Sequence, residues 1–339
     1  MKQVFSFLSI LAVASISCKE NNDCCAKTPN PTELKVSIGL AGDPADVQTI
    51  TTGGTVLMGG STDVDDAIKW MIRKSGGGDF IVIRATGSTG YNEYIKGLGQ
   101  LNSVETLLID SRDKANLETT KNAIMNAEAL FIAGGDQKNY VDFWKDTETA
   151  KAIQYLIDVK KAPIGGTSAG CAILSGYIFD AKNGTAVSEA ALANPFDSQV
   201  SVIKSFIQLP FLENVIADQH YSQGDRQGRH VVFMARMLKD FGVSLAKGIG
   251  VDEKTAVAID EKGQSLVFGS GNAYFLFADQ LPERCESQKK LTWDNNGKAI
   301  RCFVRAGTNS GTEGLNVSAN PSGQPNQYWT IVDGVFKSR

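Results

Sequence analysis

Residues 161–171 read Lys-Ala-Pro-Ile-Gly-Gly-Thr-Ser-Ala-Gly-Cys, and Ser168 stands in them between Gly166 and Gly170. A short apolar strand, a serine flanked by small residues and a small-residue helix follow one another. At a sharp strand-to-helix turn a serine presents its hydroxyl to solvent, and glycines on both sides let the backbone approach a substrate carbonyl. The helix that opens there adds its positive end and free N–H groups, which favour an oxyanion. The motif is short, and an ordinary glycine-rich turn is its plain alternative. Residues elsewhere in the chain decide between the two.

Working outward, strands are expected at 34–40, 55–58, 79–85, 104–109, 129–133 and 163–165, with helices at about 91–98 and 117–126. A helix after Gly59-Gly60 is expected to be capped by Thr62 or Asp63, and one long helix over 140–160 leads to the Ser168 turn. Short β-branched runs without a polar face, alternating with helices, predict an α/β fold: a mainly parallel sheet covered by helices on both faces. Such sheets gather function at the carboxyl ends of their strands. Two of those ends are Gly134-Gly135-Asp136-Gln137 and the Ser168 turn. They flank one strand-helix-strand unit, so both are expected to face one pocket.

Beyond the turn, 200–209 reads as extended. A strand at 214–217 ends in Asp218-Gln219-His220, and a helix over 225–241 carries Arg226 and Arg229 in its first turn. Cations at a helix start oppose its dipole, which suggests that they meet something anionic. From 249 onward the composition is strand-like, and a hairpin over 328–336 turns at Asp333-Gly334. The expected organisation is a signal peptide (1–17), a tether (18–33), a catalytic-type domain (34–282) and a β-rich extension (283–339).

Composition narrows the function. With 34 Lys and Arg against 37 Asp and Glu, a net charge of −3 provides no field for nucleic acid. Two histidines and no zinc-like cysteine spacing leave no expected metal centre or cofactor. Lys2, the apolar run 4–16 and Ser17 read as a secretory signal. Cys18 then resembles a bacterial lipoprotein site, with Ser15 where an aliphatic residue is usual. Export with a lipid anchor in the outer membrane is therefore expected, and simple secretion is the alternative. Cys24 and Cys25 lie in the tether, while Cys285 and Cys302 are candidates for a disulfide.

A serine nucleophile needs a base. His230 lies within a helical stretch and reads as a packing or surface residue. His220 follows a strand, so it is the base by elimination, with Asp218 or Glu253 as the group that fixes its tautomer.

Four ordered motifs carry a resemblance: Gly-Gly-Asp-Gln (134–137), Gly-Gly-Thr-Ser-Ala-Gly (165–170), Asp-Gln-His-Tyr-Ser-Gln (218–223) and Gly-Val-Asp-Glu-Lys-Thr-Ala (250–256). Together they resemble the cyanophycinase branch of the cyanophycinase and aspartyl dipeptidase family of serine peptidases. The resemblance implies a flavodoxin-like fold of the class I glutamine amidotransferase kind, with Ser168 as nucleophile, His220 as base and Glu253 as the acid orienting it. It also implies Gln137, Asp218, Gln219, Arg226 and Arg229 around the substrate, and an oxyanion hole from Gly135 or Asp136 with Ala169. The family places three arginines after the histidine. Here the first position is Gly224, which puts cyanophycin itself in doubt as substrate. The expected activity is hydrolysis of small acidic or β-aspartyl peptides, as an exopeptidase. The rival is a noncatalytic, peptide-binding surface lipoprotein. Oligomeric state stays open, a homodimer being one option.

Overall fold

The computed structural model describes residues 34–339; the calls on the signal, the tether, Cys18, Cys24 and Cys25 lie outside the described residues. Residues 35–339 form one compact unit. Its strands are β1 (Ser37–Gly42), β2 (Gly54–Met58), β3 (Asp79–Arg84), β4 (Ser103–Leu108), β5 (Ala129–Ile132), β6 (Pro163–Thr167), β7 (Tyr177–Phe179), β8 (Val202–Lys204) and β9 (Val215–Gln219). They continue with β10 (Ala246–Val251), β11 (Thr255–Asp260), β12 (Gln264–Gly269), β13 (Asn272–Ala278), β14 (Ile300–Ala306), β15 (Thr312–Asn316), β16 (Gln327–Val332) and β17 (Val335–Ser338). The helices are α1 (Asp65–Lys74), α2 (Gly90–Leu98), α3 (Arg112–Ala115), α4 (Glu118–Asn126), α5 (Gln137–Trp144), α6 (Glu148–Tyr155), α7 (Ala169–Ala172), α8 (Ser188–Ala193) and α9 (Gln227–Phe241).

The fold is α/β, built on two sheets. The first runs β1-β4-β3-β5-β6-β2-β11-β12-β15, and its centre from β4 to β2 is parallel. Alternation explains why its strands show no polar face. Ile81, Ile83, Leu130 and Ile132 point to one core, while Phe80, Val82 and Phe131 point to another under α1 and α2. Both faces are buried, as parallel strands require.

The second sheet, β17-β16-β14-β13-β10-β9-β7-β8, has a parallel core at β10-β9-β7. One face shares the core of the first sheet, and the other packs under α8 and α9. The strands after 283 complete this sheet, since β14 pairs with β13 and β16 pairs with β14. The sequence reading expects one sheet and does not foresee the second.

Several local expectations are corrected. The long helix over 140–160 is two helices and a π turn at Leu156–Lys160, broken at Asp146, whose φ is 59°. No proline or glycine marks the break. Arg112 donates to the Lys145 carbonyl (2.9 Å) and Thr147 Oγ1 to that of Trp144 (2.6 Å), so side chains satisfy the carbonyls the helix releases. Val64, not Thr62 or Asp63, holds the N-cap position of α1, and no side chain caps it; Asp63 instead accepts from the Tyr91 hydroxyl (2.6 Å). Within 200–209 only β8 is strand, and the helix expected from 225 begins at Gln227. Cys285 and Cys302 are buried, separate thiols and not a disulfide.

Candidate active site

Strands β2, β5 and β6 lie side by side in the first sheet, so the loops after their carboxyl ends share one edge. They deliver Gly59-Gly60, 133–137 and Ser168. From the second sheet, β9 and β10 run parallel with Gln219 opposite Val251, which sets His220 beside 252–254. That segment crosses from β10 in the second sheet to β11 in the first. Glu253 therefore sits on the crossover itself, and the two layers are stitched there. The His220 amide donates to the Gly59 carbonyl (2.8 Å) and the Lys254 amide to that of Gly60 (3.0 Å).

Ser168 adopts φ 52°, ψ −117°, a conformation that costs a non-glycine residue energy and persists only when its surroundings impose it. Its amide is held by the Met58 carbonyl at 3.0 Å. The flanking glycines are required by packing: a Cβ on Gly170 would fall 2.1 Å from the Ile132 carbonyl oxygen, and one on Gly166 would fall 2.6 Å from the Gly170 carbonyl carbon. The elbow thus sits hard against the end of β5.

The Ser168 hydroxyl lies 2.9 Å from His220 Nε2, and His220 Nδ1 lies 2.7 Å from Glu253 Oε1. The choice left open between Asp218 and Glu253 is decided by this contact. With Glu253 accepting the proton on Nδ1, Nε2 is the free acceptor that faces the hydroxyl. The neighbouring Asp252, 3% exposed, accepts from the Ser222 amide (2.9 Å), the Ser222 hydroxyl (2.6 Å) and the Asn272 amide (3.1 Å). Adjacent acids thus hold one loop twice: Glu253 grips the ring, and Asp252 grips the backbone two residues beyond it.

A cleft of about 320 Å³ opens at Ser168 and His220, with Gly135, Asp136 and Gln137 on one wall and Gln219, Arg226 and Arg229 on the other. Asp136 caps α5, its carboxylate accepting from the Lys138 amide (2.9 Å), so the start of that helix faces the cleft. Ala169 opens α7, where first-turn amides have no partner inside the helix.

Asp218 does not line the cleft. It is 2% exposed and takes two bonds from Arg229, at 2.8 and 2.5 Å. Burial, the largest single influence, raises its carboxyl, but the charge and hydrogen bonds of Arg229, with Arg226 beside it, together hold it below its ordinary value of 3.8. Arg229 is itself 2% exposed, packed near Phe179 and Phe233, and donates also to the Ala186 carbonyl. Its expected anion is thus the protein's own Asp218. Arg226, less buried, bonds the side chain of Gln219 and faces the cleft.

Position 224 is closed to a side chain: a Cβ there would fall 2.6 Å from both the His220 carbonyl oxygen and Arg226 Nε. His230 is fully buried between the Tyr221 hydroxyl (2.8 Å) and the Ile216 carbonyl (3.0 Å), and burial lowers its pKa, as suits a neutral packing residue. Sequence reading passed over Gly59-Gly60 and Asp252, although both stand at strand ends. It also passed over Ala181 and Thr185 of the far wall, for which no motif gives a signal.

Residues 50–267 match Peptidase family S51. The chain belongs to that family. Among curated relatives, it is 27% identical over 183 residues to a cyanophycinase of Synechococcus elongatus, covering 54% of this chain and 51% of that protein. A cyanophycinase of Nostoc sp. (strain PCC 7120 / SAG 25.82 / UTEX 2576) is 24% identical over 190 residues, covering 56% and 58%. The chain thus spans about half the length of the curated relatives it matches. Among solved structures, a peptidase from an acI-B1 Actinobacterium aligns with a TM-score of 0.49 at 19% identity, covering 67% of this chain and 91% of that one. The whole extension after 283 lies beyond the family match, which ends within β12.

Proposed function

We propose that the chain is a serine peptidase that hydrolyses small acidic or β-aspartyl peptides through an acyl-enzyme. The observation that supports this most is the unbroken relay Ser168–His220–Glu253, with both contacts at hydrogen-bond length. Ser168 Oγ attacks the scissile carbonyl carbon while Nε2 takes its proton. The carbonyl electron pair moves onto oxygen, where the amides of Ala169 and of Gly135 or Asp136 receive it. Collapse breaks the C–N bond, and the imidazolium gives its proton to the departing amine. Water then repeats the sequence on the ester: His220 takes its proton, the acid product leaves and the proton returns to Ser168.

Arg226, 3.7 Å from Asp218 Oδ1 and less tightly held than Arg229, is the cation that meets a substrate carboxylate, and Gln137 lines the same cleft. Because 224 cannot carry an arginine without opening its turn, the reading favours small acidic peptides over cyanophycin. Attachment to a bacterial outer membrane through Cys18 belongs to the same proposal, and fatty-acid labelling of the native chain beside Cys18→Ala tests it. For the chemistry, native protein and Ser168→Ala are assayed on Asp-Xaa and β-Asp-Arg dipeptides. Turnover by the native protein alone is expected. Equal rates remove Ser168 from the mechanism, and binding without turnover by either supports a purely peptide-binding protein.

A further inference from the structure

A second cleft, of about 620 Å³, meets the first at the turn Asp225-Arg226. One wall is the turn that also serves the catalytic cleft: Arg226 lines that cleft together with Ser168, while its neighbour Asp225 lines the second cleft. The floor is aromatic. Tyr274, Trp329 and Phe336 follow one another with ring centres 6.1 and 5.1 Å apart. The Tyr274 hydroxyl lies 3.0 Å from that of Ser222, two residues after the base, so floor and catalytic loop are joined. Glu189 and Asp225 are the carboxylates in the lining, both exposed, and no lysine or arginine joins them. Trp329 and Phe336 come from the strands beyond the family match.

The polarity of the two clefts is therefore opposed. A cation shares the cleft of the reacting serine, and across one turn lies an apolar floor with an acidic rim. An acidic side chain is repelled from the second cleft and attracted to the first. An aromatic or aliphatic side chain gains there by leaving water and stacking.

The geometry points to an accessory substrate subsite. An acidic residue seats against Arg226, and an aromatic or aliphatic residue further along the same peptide seats on the half-buried rings of Tyr274 and Phe336, with Trp329, 2% exposed, packed against both. This rests on the peptidase reading of the first cleft, and it makes the preferred substrate longer than a dipeptide.

The test compares Asp-Ala with Asp-Ala-Phe and Phe-Asp-Ala. On native protein, at least one tripeptide is expected to exceed the dipeptide in kcat/KM by about tenfold, the scale of one buried side chain. Val335→Lys, which puts a charged chain into the cleft from an exposed position, and Phe336→Ala are each expected to erase that gain while leaving Asp-Ala turnover within about twofold. Equal kcat/KM at both lengths overturns the subsite, as does a gain that survives in both variants. Calorimetric binding to Ser168→Ala separates the two readings. A tripeptide that binds about tenfold tighter than Asp-Ala but is never cleaved by native protein keeps the subsite and sinks the peptidase reading.

Discussion

Gly60 lies directly under the imidazole of His220: a Cβ placed on Gly60 would fall 2.5 Å from both Cε1 and Nε2 of that ring. Its φ of 99° is also one that side chains rarely tolerate. The glycine pair after β2 therefore fixes where the base stands. Gly60→Ala is expected to displace the ring by about an ångström and reduce kcat by about 100-fold or more. Steady-state kinetics with a thermal melt checks it. A folded variant with native kcat contradicts the assignment.

Glu253 fixes the proton on Nδ1, and Glu253→Gln keeps the shape while allowing its amide to donate instead. The ring then turns its other tautomer to Ser168, with N–H where an acceptor is needed. A loss in kcat of about 10³- to 10⁴-fold is expected, with the melting temperature nearly unchanged. A loss under tenfold would show that the carboxylate is dispensable.

Asp252 acts on the same loop without touching the ring. Removing its charge with Asp252→Asn weakens three bonds, two from Ser222 in the loop after His220 and one from Asn272 at the start of β13. Stability is expected to fall by about 1–3 kcal/mol. A fall in kcat is expected beside it, because the loop that carries His220 is loosened. Urea unfolding together with kinetics reads both, and loss of neither excludes the clamp.

The Asp218–Arg229 pair predicts a pH dependence. The Asp218 carboxyl titrates lower in the folded chain than its ordinary 3.8. Its contribution to stability is therefore fully present above that value and is lost as pH falls through the folded one. Asp218→Asn is expected to be about 3–5 kcal/mol less stable than native at pH 7, because it leaves a buried guanidinium unpaired. The gap should narrow below about pH 4. Unfolding at pH 7, 5 and 3 measures it, and a gap constant across the three contradicts the linkage.

The parallel centre, the elbow, Ser168 and His220 were legible in the sequence, because strand periodicity and strand-end loops are local signals; Glu253 over Asp218 was named only by the family resemblance. Arg229 was not legible. Its charge at a helix start looks the same whether a substrate or Asp218 answers it, and only packing shows which. The break at Asp146 escaped for a similar reason: Arg112, far back in the chain, stabilises it. The second sheet escaped because its strands are scattered from 177 to 338 and pair across long separations.

The crossover that carries Glu253 ties the reaction to the mutual alignment of the two layers. Ser168 rides on one sheet and His220 on the other, and the carboxylate spans the seam. Slippage of a fraction of an ångström between the layers would stop turnover while every strand stayed paired. Warming should therefore abolish the proposed turnover before circular dichroism registers any loss of structure.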